Sequence, residues 1–224
     1  MPRRCARNGA ANGAGAERGE ALTAMHPDPA FAWKDRAAMR ALVESVGFGT
    51  LFAETAEGPR CAQVPALFLD EDRIGFHLSR HNALAQELAG RRALFVVQGP
   101  NAYVSPDWYG MADQVPTWNY AAVELDGMVT AMDRDALIAL IDGVSAHHEA
   151  RLAPKAVWTR DKMREGLFDR MLGGVTGYAL HITQWRGTLK AGQNKPQAAR
   201  AAVAEMLAQR GESGMAALMQ AGMP

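Results

Sequence analysis

Residues 47–55 (GFGTLFAET), 60–70 (RCAQVPALFLD) and 73–79 (RIGFHLS) read as three consecutive strands. In each, apolar residues alternate with polar or small ones at a period of two, which puts one set of side chains on a core face. The separators AEGP and DED are turn-forming, so the three strands make an antiparallel meander.

Upstream, residues 35–46 carry Ala38, Met39, Leu42, Val43 and Val46 at three-to-four spacing, the stripe of an amphipathic helix that Gly47 and Gly49 stop. Downstream, residues 82–89 predict a short helix, and RALFVVQG (92–99) predicts a strand buried on both faces. The stretch PTWNYAAVELDGMVTAM (116–132) is long and β-rich, and its Asp126-Gly127 pair predicts a turn or bulge that bends it around a barrel. Asp133 is suited to cap a helix that carries Leu137, Ile138, Leu140, Ile141 and Val144 inward as far as about residue 152, where Pro154 ends it. A second helix is predicted over 161–172, closed by Gly173-Gly174, and VTGYALHITQWRGTLK (175–190) returns as a long strand or hairpin. From Pro196 onward the composition is helical.

The fold class that follows is mainly β (α+β), a closed or partly open barrel with peripheral helices. No GxGxxG follows a strand and no βα alternation is present, so a Rossmann dinucleotide site is not expected. The barrel domain is expected over 25–200, with a helical insertion at about 133–172 and a helical tail over 201–224. Residues 1–24 hold Ala, Gly and Arg and almost no large apolar side chain, and are expected to be disordered, with Met25 opening the native chain.

Hydrophobic residues make up 48% of the 224, ample for a core. No run of roughly 18 apolar residues and no apolar secretion segment is present, which predicts a cytoplasmic protein. The two cysteines, Cys5 and Cys61, encode neither a disulfide framework nor a thiolate metal site. Formal charge sums to zero, but residues 25–150 hold nine Lys/Arg against seventeen Asp/Glu, whereas residues 151–210 hold eleven against four. Either the two regions neutralise each other in the fold or across a dimer, or the basic part holds an anion.

Three clusters could carry chemistry. GPNAYVSPDWYGMADQVPTWNY (99–120) concentrates aromatics and prolines. There Trp108, Tyr109, Trp118 and Tyr120 could wall a planar ligand, with Ser105, Thr117 and Asn119 as hydrogen-bonding groups, or could fill a core or dimer seam. HLSRHNAL (77–84) places Ser79, Arg80 and Asn82 where a strand is expected to give way to a helix, a junction suited to phosphate or to ordinary capping. RGTLKAGQNK (186–195) is basic, with Gln193 and Asn194 adjacent, and its Lys190 or Arg186 could reach a flavin's pyrimidine edge or phosphate, or simply be solvated.

The histidines predict no metal. His77 and His81 have HxxxH spacing, but on a strand and the turn after it they share no face. His147 and His148 are adjacent on a helix, about 100° apart in projection, and His181 alternates with apolar neighbours as a packed residue. No nucleophile elbow, P-loop or carboxylate pair supports hydrolysis or phosphoryl transfer.

AYVSPDWY (102–109) and VPTWNY (115–120), preceded by HLSRHN (77–82) and followed by LKAGQN (189–194), resemble in order and separation the motifs of the PaiB family over about residues 25–200. The resemblance implies a flavin-type split β-barrel with Greek-key topology, a homodimer, and FMN in the cleft between subunits. It also implies the family's label of FMN-binding negative transcriptional regulator, with flavin redox activity in prospect. Two positions depart from the family's pattern: Gln63 in AQVP and Glu124 in VEL stand where members carry histidine. Haem binding or degradation on the same barrel, another flavin oxidoreductase, and a ligand-free interaction module are the alternatives. Direct DNA contact has thin support, since no helix-turn-helix signature or arginine-rich face stands out.

Overall fold

A computed structural model describes residues 25–221, so the readings made for residues 1–24 lie outside the described residues. Six antiparallel strands close a barrel in the order β1-β2-β3-β6-β5-β4. They are β1 (Phe48–Thr55), β2 (Gly58–Phe68), β3 (Arg73–Ser79), β4 (Arg92–Val104), β5 (Thr117–Ala131) and β6 (Val175–Lys190). The first three are the meander read from sequence, and β4 returns to lie beside β1, which is a Greek key.

The barrel interior is filled by the inward set of each strand. Leu51, Ile74, Phe76, Phe95, Leu125 and Leu180 are fully buried there, and Tyr178 stacks on Phe76 with ring centroids 5.8 Å apart. Helix α1 (Arg36–Val46) is capped by Asp35, whose carboxylate accepts from Ala38 N at 3.0 Å, and ends on left-handed Gly47. It lays Met39 and Val43 onto the same core.

Strands β4 and β5 outrun the barrel. Between Gln98 and Asn101 the β4–β5 register shifts, and the extra residue reverses which β4 side chains face inward. Before the shift Ala93, Phe95 and Val97 are buried; after it Ala102 and Val104 are. This extension forms a second core with α4 (Gln197–Gln209) and α5 (Ser213–Gln220), through Val203, Ala204, Leu207, Met215 and Met219. Helices α2 (Arg134–Glu149), capped by Asp133, and α3 (Leu167–Leu172) connect β5 to β6. α2 lies so close to β6 that a Cβ on Gly177 would stand 2.9 Å from Leu137 Cδ1.

Three expectations are corrected. Residues 82–89 form successive turns instead of a helix, with backbone bonds such as Ala85 N to Asn82 O at 3.0 Å closing three-residue steps. The helix predicted over 161–172 contracts to a 3-10 turn, Arg160–Lys162, and α3, because left-handed Gly166 interrupts it. Strand β4 is buried on one face only; Leu94 and Val96 on the other are half-buried.

The charge asymmetry is met in part within the chain. Arg186 pairs with Glu124 at 2.7 Å and Arg160 with Asp142 at 3.5 Å, each joining the basic segment to the acidic one.

Candidate functional site

The loop after β4 folds into a 3-10 turn, Pro106–Tyr109, and then enters β5, where strand alternation divides the predicted cluster. Thr117 and Asn119 point to one face of β5, Trp118 and Tyr120 to the other.

On the first side, Tyr109, Thr117, Asn119, Lys190 and Asn194 line one cavity of about 190 Å³. Lys190 Nζ donates to Thr117 Oγ1 at 2.7 Å and lies 5.6 Å from the centre of the Phe31 ring. Lys195 Nζ donates to Gln114 Oε1 at 2.7 Å and lies 5.6 Å from the centre of Tyr109. Among the described residues neither ammonium group pairs with a carboxylate, so both present uncompensated positive charge. Asn119 is buried, its Nδ2 donating to Met219 Sδ at 3.5 Å. Burial raises the Tyr109 phenol above its ordinary pKa, so it is a protonated donor at neutral pH.

On the other side, Trp118 is 51% exposed and Tyr103 47%. The indole Nε1 donates to Asn101 Oδ1 at 3.2 Å and the ring meets Tyr103 edge-on at 6.2 Å. Phe48 and Phe52 of β1 are also exposed and, by register, share this outward face with Tyr120. Exposed aromatic side chains therefore occur on the outward faces of β1, β4 and β5, with Tyr103 and Trp118 in contact.

The remaining predicted residues sit elsewhere. Trp108 packs beside the C-terminal helices, with Arg210 Cζ 5.7 Å from its ring centre, and Ser105 begins the 3-10 turn without a side-chain capping bond. Gln193 binds backbone: its Oε1 accepts from Ala191 N at 2.8 Å and its Nε2 donates to Ala30 O at 2.9 Å. Ser79, Arg80 and Asn82 form a turn, not a helix N-terminus. Ser79 Oγ accepts from His81 N at 3.3 Å, Asn82 Oδ1 from Leu84 N at 3.0 Å, and the guanidinium of exposed Arg80 donates to the Val175 carbonyl at 3.3 Å. This turn is at the far end of β6 from Lys190. Ser79 pairs with Val175 and Tyr120 with Lys190, the first and last residues of that strand, a contour of about 50 Å.

Gln63 and Glu124 occupy one row of the outward face, Gln63 opposite Thr50, Thr50 opposite Val96, Val96 opposite Glu124. Gln63 Oε1 accepts from Thr50 Oγ1 at 3.0 Å, and Glu124 is held by Arg186. Among the described residues no cluster of His, Cys, Asp or Glu could hold a metal ion.

Two histidines are held below their ordinary pKa, His77 by burial and His148 by burial and then by Arg151 and His147. Both therefore resist protonation in the folded state, whereas in the unfolded chain they take up protons near 6.5. Stability is complete above that value and falls as pH drops below it. Thermal unfolding at pH 7.5 and 5.5 should show the lower midpoint at the lower pH, and His77→Phe should shrink the difference.

A Greek-key barrel with an outlying helical layer, an aromatic outer face and uncompensated cations defines a split-barrel protein of the flavin-binding class. The chain belongs to the family described as "Putative FMN-binding domain", whose model matches residues 25–184, and FMN is accordingly its cofactor. It is similar to the Protease synthase and sporulation protein PAI 2 of Bacillus subtilis, with 27% identity over 158 residues, 68% of this chain and 74% of the relative. The fold is shared with the FAD and Heme binding protein from Mycobacterium smegmatis (TM-score 0.52, 19% identity, 72% of this chain and 74% of that one). It is shared also with the flavocytochrome Anf3 from Azotobacter vinelandii (TM-score 0.51, 15% identity, 72% and 70%).

The residues present fit such a cofactor in kind: unpaired cations for a phosphate, aromatic surface for a ring system, amides and hydroxyls for its polar edge. They do not enclose it, because the 190 Å³ cavity is smaller than the roughly 300 Å³ at which ligand pockets begin. Sequence reasoning missed Phe31, Gln114 and His26 in this cavity and left Lys195 unassigned. Lys195 had a signal, its place in the basic RGTLKAGQNK string, whereas Phe31 and His26 reach the cavity through long-range docking of the N-terminal segment on β6, by the bridge of Ala32 to Thr188 and the bonds Trp33 N to Gly187 O and Gln193 Nε2 to Ala30 O.

Proposed function

We propose that the chain binds FMN in a crevice between two copies of itself, the Ser79–Arg80–Asn82 turn of one copy taking the phosphate. Lys190, Thr117, Asn119 and Asn194 of the other copy take the polar edge of the isoalloxazine. The observation that carries this reading is that Arg80 and Lys190 lie at opposite ends of β6, about 50 Å apart along the strand. A two-fold axis runs the strand of one copy against that of the other, so both ends can meet at one ligand, and two equivalent sites result. The exposed Phe48, Phe52, Tyr103 and Trp118 supply apolar surface for such an interface. When bound, the flavin supplies reversible electron acceptance; Lys190 and Lys195 favour the negative charge that reduction gathers on its pyrimidine edge.

The PaiB likeness brings with it a role as negative transcriptional regulator, which we read as indirect. α4 and α5 are joined by a short turn at Arg210-Gly211-Glu212, but α5 has no Lys or Arg and buries Met215, Ala216 and Met219, so it cannot serve as a recognition helix. Gel shifts at about 50 mM salt should show no binding to upstream DNA. The haem alternative finds no imidazole at Gln63 or Glu124, both already hydrogen-bonded.

Reconstitution with excess FMN should leave yellow protein absorbing at about 450 nm after ultrafiltration, one flavin per chain, and light scattering should give twice the chain mass. A colourless monomer would end the proposal. Trp118→Ala removes the most exposed of those aromatic rings and should weaken the dimer by about 2 kcal/mol, near thirtyfold, with the far-ultraviolet circular dichroism unchanged.

A further inference from the structure

A second cavity, of about 330 Å³, lies between β3, the start of β6, α2 and α3. Ile141, Phe168, Leu172 and Val175 give it apolar walls, and His77, Ser145 and the Trp158 indole are the side chains on it that carry O–H or N–H groups. Its volume is within the range of small-molecule sites and about twice that of an apolar cavity that holds benzene. The strap between α2 and α3 that carries Trp158 holds two 3-10 turns, Ala150–Leu152 and Arg160–Lys162, and is tied down where Trp158 N donates to Glu149 Oε2 at 2.8 Å. Trp158 and Met171 are exposed at its rim, so the cavity is reached from solvent.

His77 determines what the cavity could recognise. Its Nδ1 is buried with no hydrogen-bond partner. A buried N–H without an acceptor costs more than a lone pair without a donor, so the proton belongs on Nε2, the accessible nitrogen of a ring that lines the cavity. Burial also keeps the imidazole neutral. The nearby cation, Arg160, stacks 5.0 Å from the centre of Phe168 and pairs with Asp142, so it leaves no charge for an anion.

We propose that this cavity binds a neutral, flat aromatic molecule bearing a carbonyl, with His77 Nε2–H donating to the carbonyl oxygen and the rings packed between Trp158 and Phe168. Such a site adjoins the phosphate end of the proposed flavin crevice, since Arg80 donates to the carbonyl of Val175, and extends the protein's chemistry to a second small molecule.

The test is isothermal titration of the full chain, FMN-loaded and flavin-free, with 1-tetralone and with tetralin, which lacks the acceptor. The expected result is one 1-tetralone per chain in both forms, bound about tenfold more tightly than tetralin. His77→Phe should bind the two equally. Ile141→Trp, which fills the space, should bind neither while retaining FMN. No binding of 1-tetralone to the wild type, a preference that survives in His77→Phe, or release of FMN as 1-tetralone binds would each overturn the proposal. Titration of the flavin-free form keeps this test standing if the FMN reading itself fails.

Discussion

Gly127→Ala is expected to lower the melting temperature by roughly 10 °C or to leave no folded protein at all. The β5–β6 register shifts at this residue: Asp126 lies opposite Gln184 and Gly127 opposite Ile182, which leaves Thr183 as the extra residue of a bulge. A Cβ at Gly127 would stand 1.9 Å from the carbonyl oxygen of His181 and 2.7 Å from its carbonyl carbon. Those are backbone atoms of the neighbouring strand. They can retreat only by opening the longest ladder in the barrel, at a cost of about 3 kcal/mol or more. The backbone at Gly127 is not left-handed, so the penalty is one of contact. Gly90 provides the contrast, with φ +81 and nothing within 4 Å of an added Cβ. Gly90→Ala should cost only about 1 kcal/mol, through its dihedral angle. A Gly127→Ala protein melting with the wild type would mean that the two strands pair in a different register.

That bulge was legible in the sequence because Asp-Gly inside a β-rich run has few other uses, and the Asp133 cap and the opening meander were legible for equally local reasons. Where reading failed, local signals pointed the wrong way. Leu84 and Leu88 are both buried at helical spacing, yet the Asn82 side chain accepts from Leu84 N and closes a turn that propagates as further turns. In β4 the outward Leu94 and Val96 are as apolar as the inward Phe95 and Val97, so alternation is hidden in composition and appears only in burial. The candidate site was legible as clusters but not as an arrangement. Nothing local says that Thr117 and Trp118 face opposite ways across a sheet, that Lys195 joins Gln114, or that the HLSRHN and LKAGQN strings occupy opposite ends of one strand. The pairing of Glu124 with Arg186 likewise depends on register, which couples positions 62 residues apart.

Arg80→Ala and Lys190→Met, each alone, should weaken FMN binding about ten- to a hundredfold if, as we propose, each contributes a charge-assisted donor to the ligand. Neither should disturb the fold. Arg80 is exposed and its guanidinium donates to one carbonyl, and Lys190 gives up one hydrogen bond to Thr117. Mixing the two variants distinguishes a site made within one chain from a site made between two. If one chain supplies both residues, every site in every mixed dimer lacks one of them, and the mixture binds as poorly as its parents. If Arg80 comes from one copy and Lys190 from the other, a mixed dimer has one site lacking both residues and one lacking neither. Random exchange makes half the dimers mixed, so about a quarter of all sites should recover wild-type affinity. Retained FMN measured by ultrafiltration after unfolding and refolding the mixture would show that fraction. Recovery follows from the two residues lying at opposite ends of β6, and its absence would place the flavin within a single protomer.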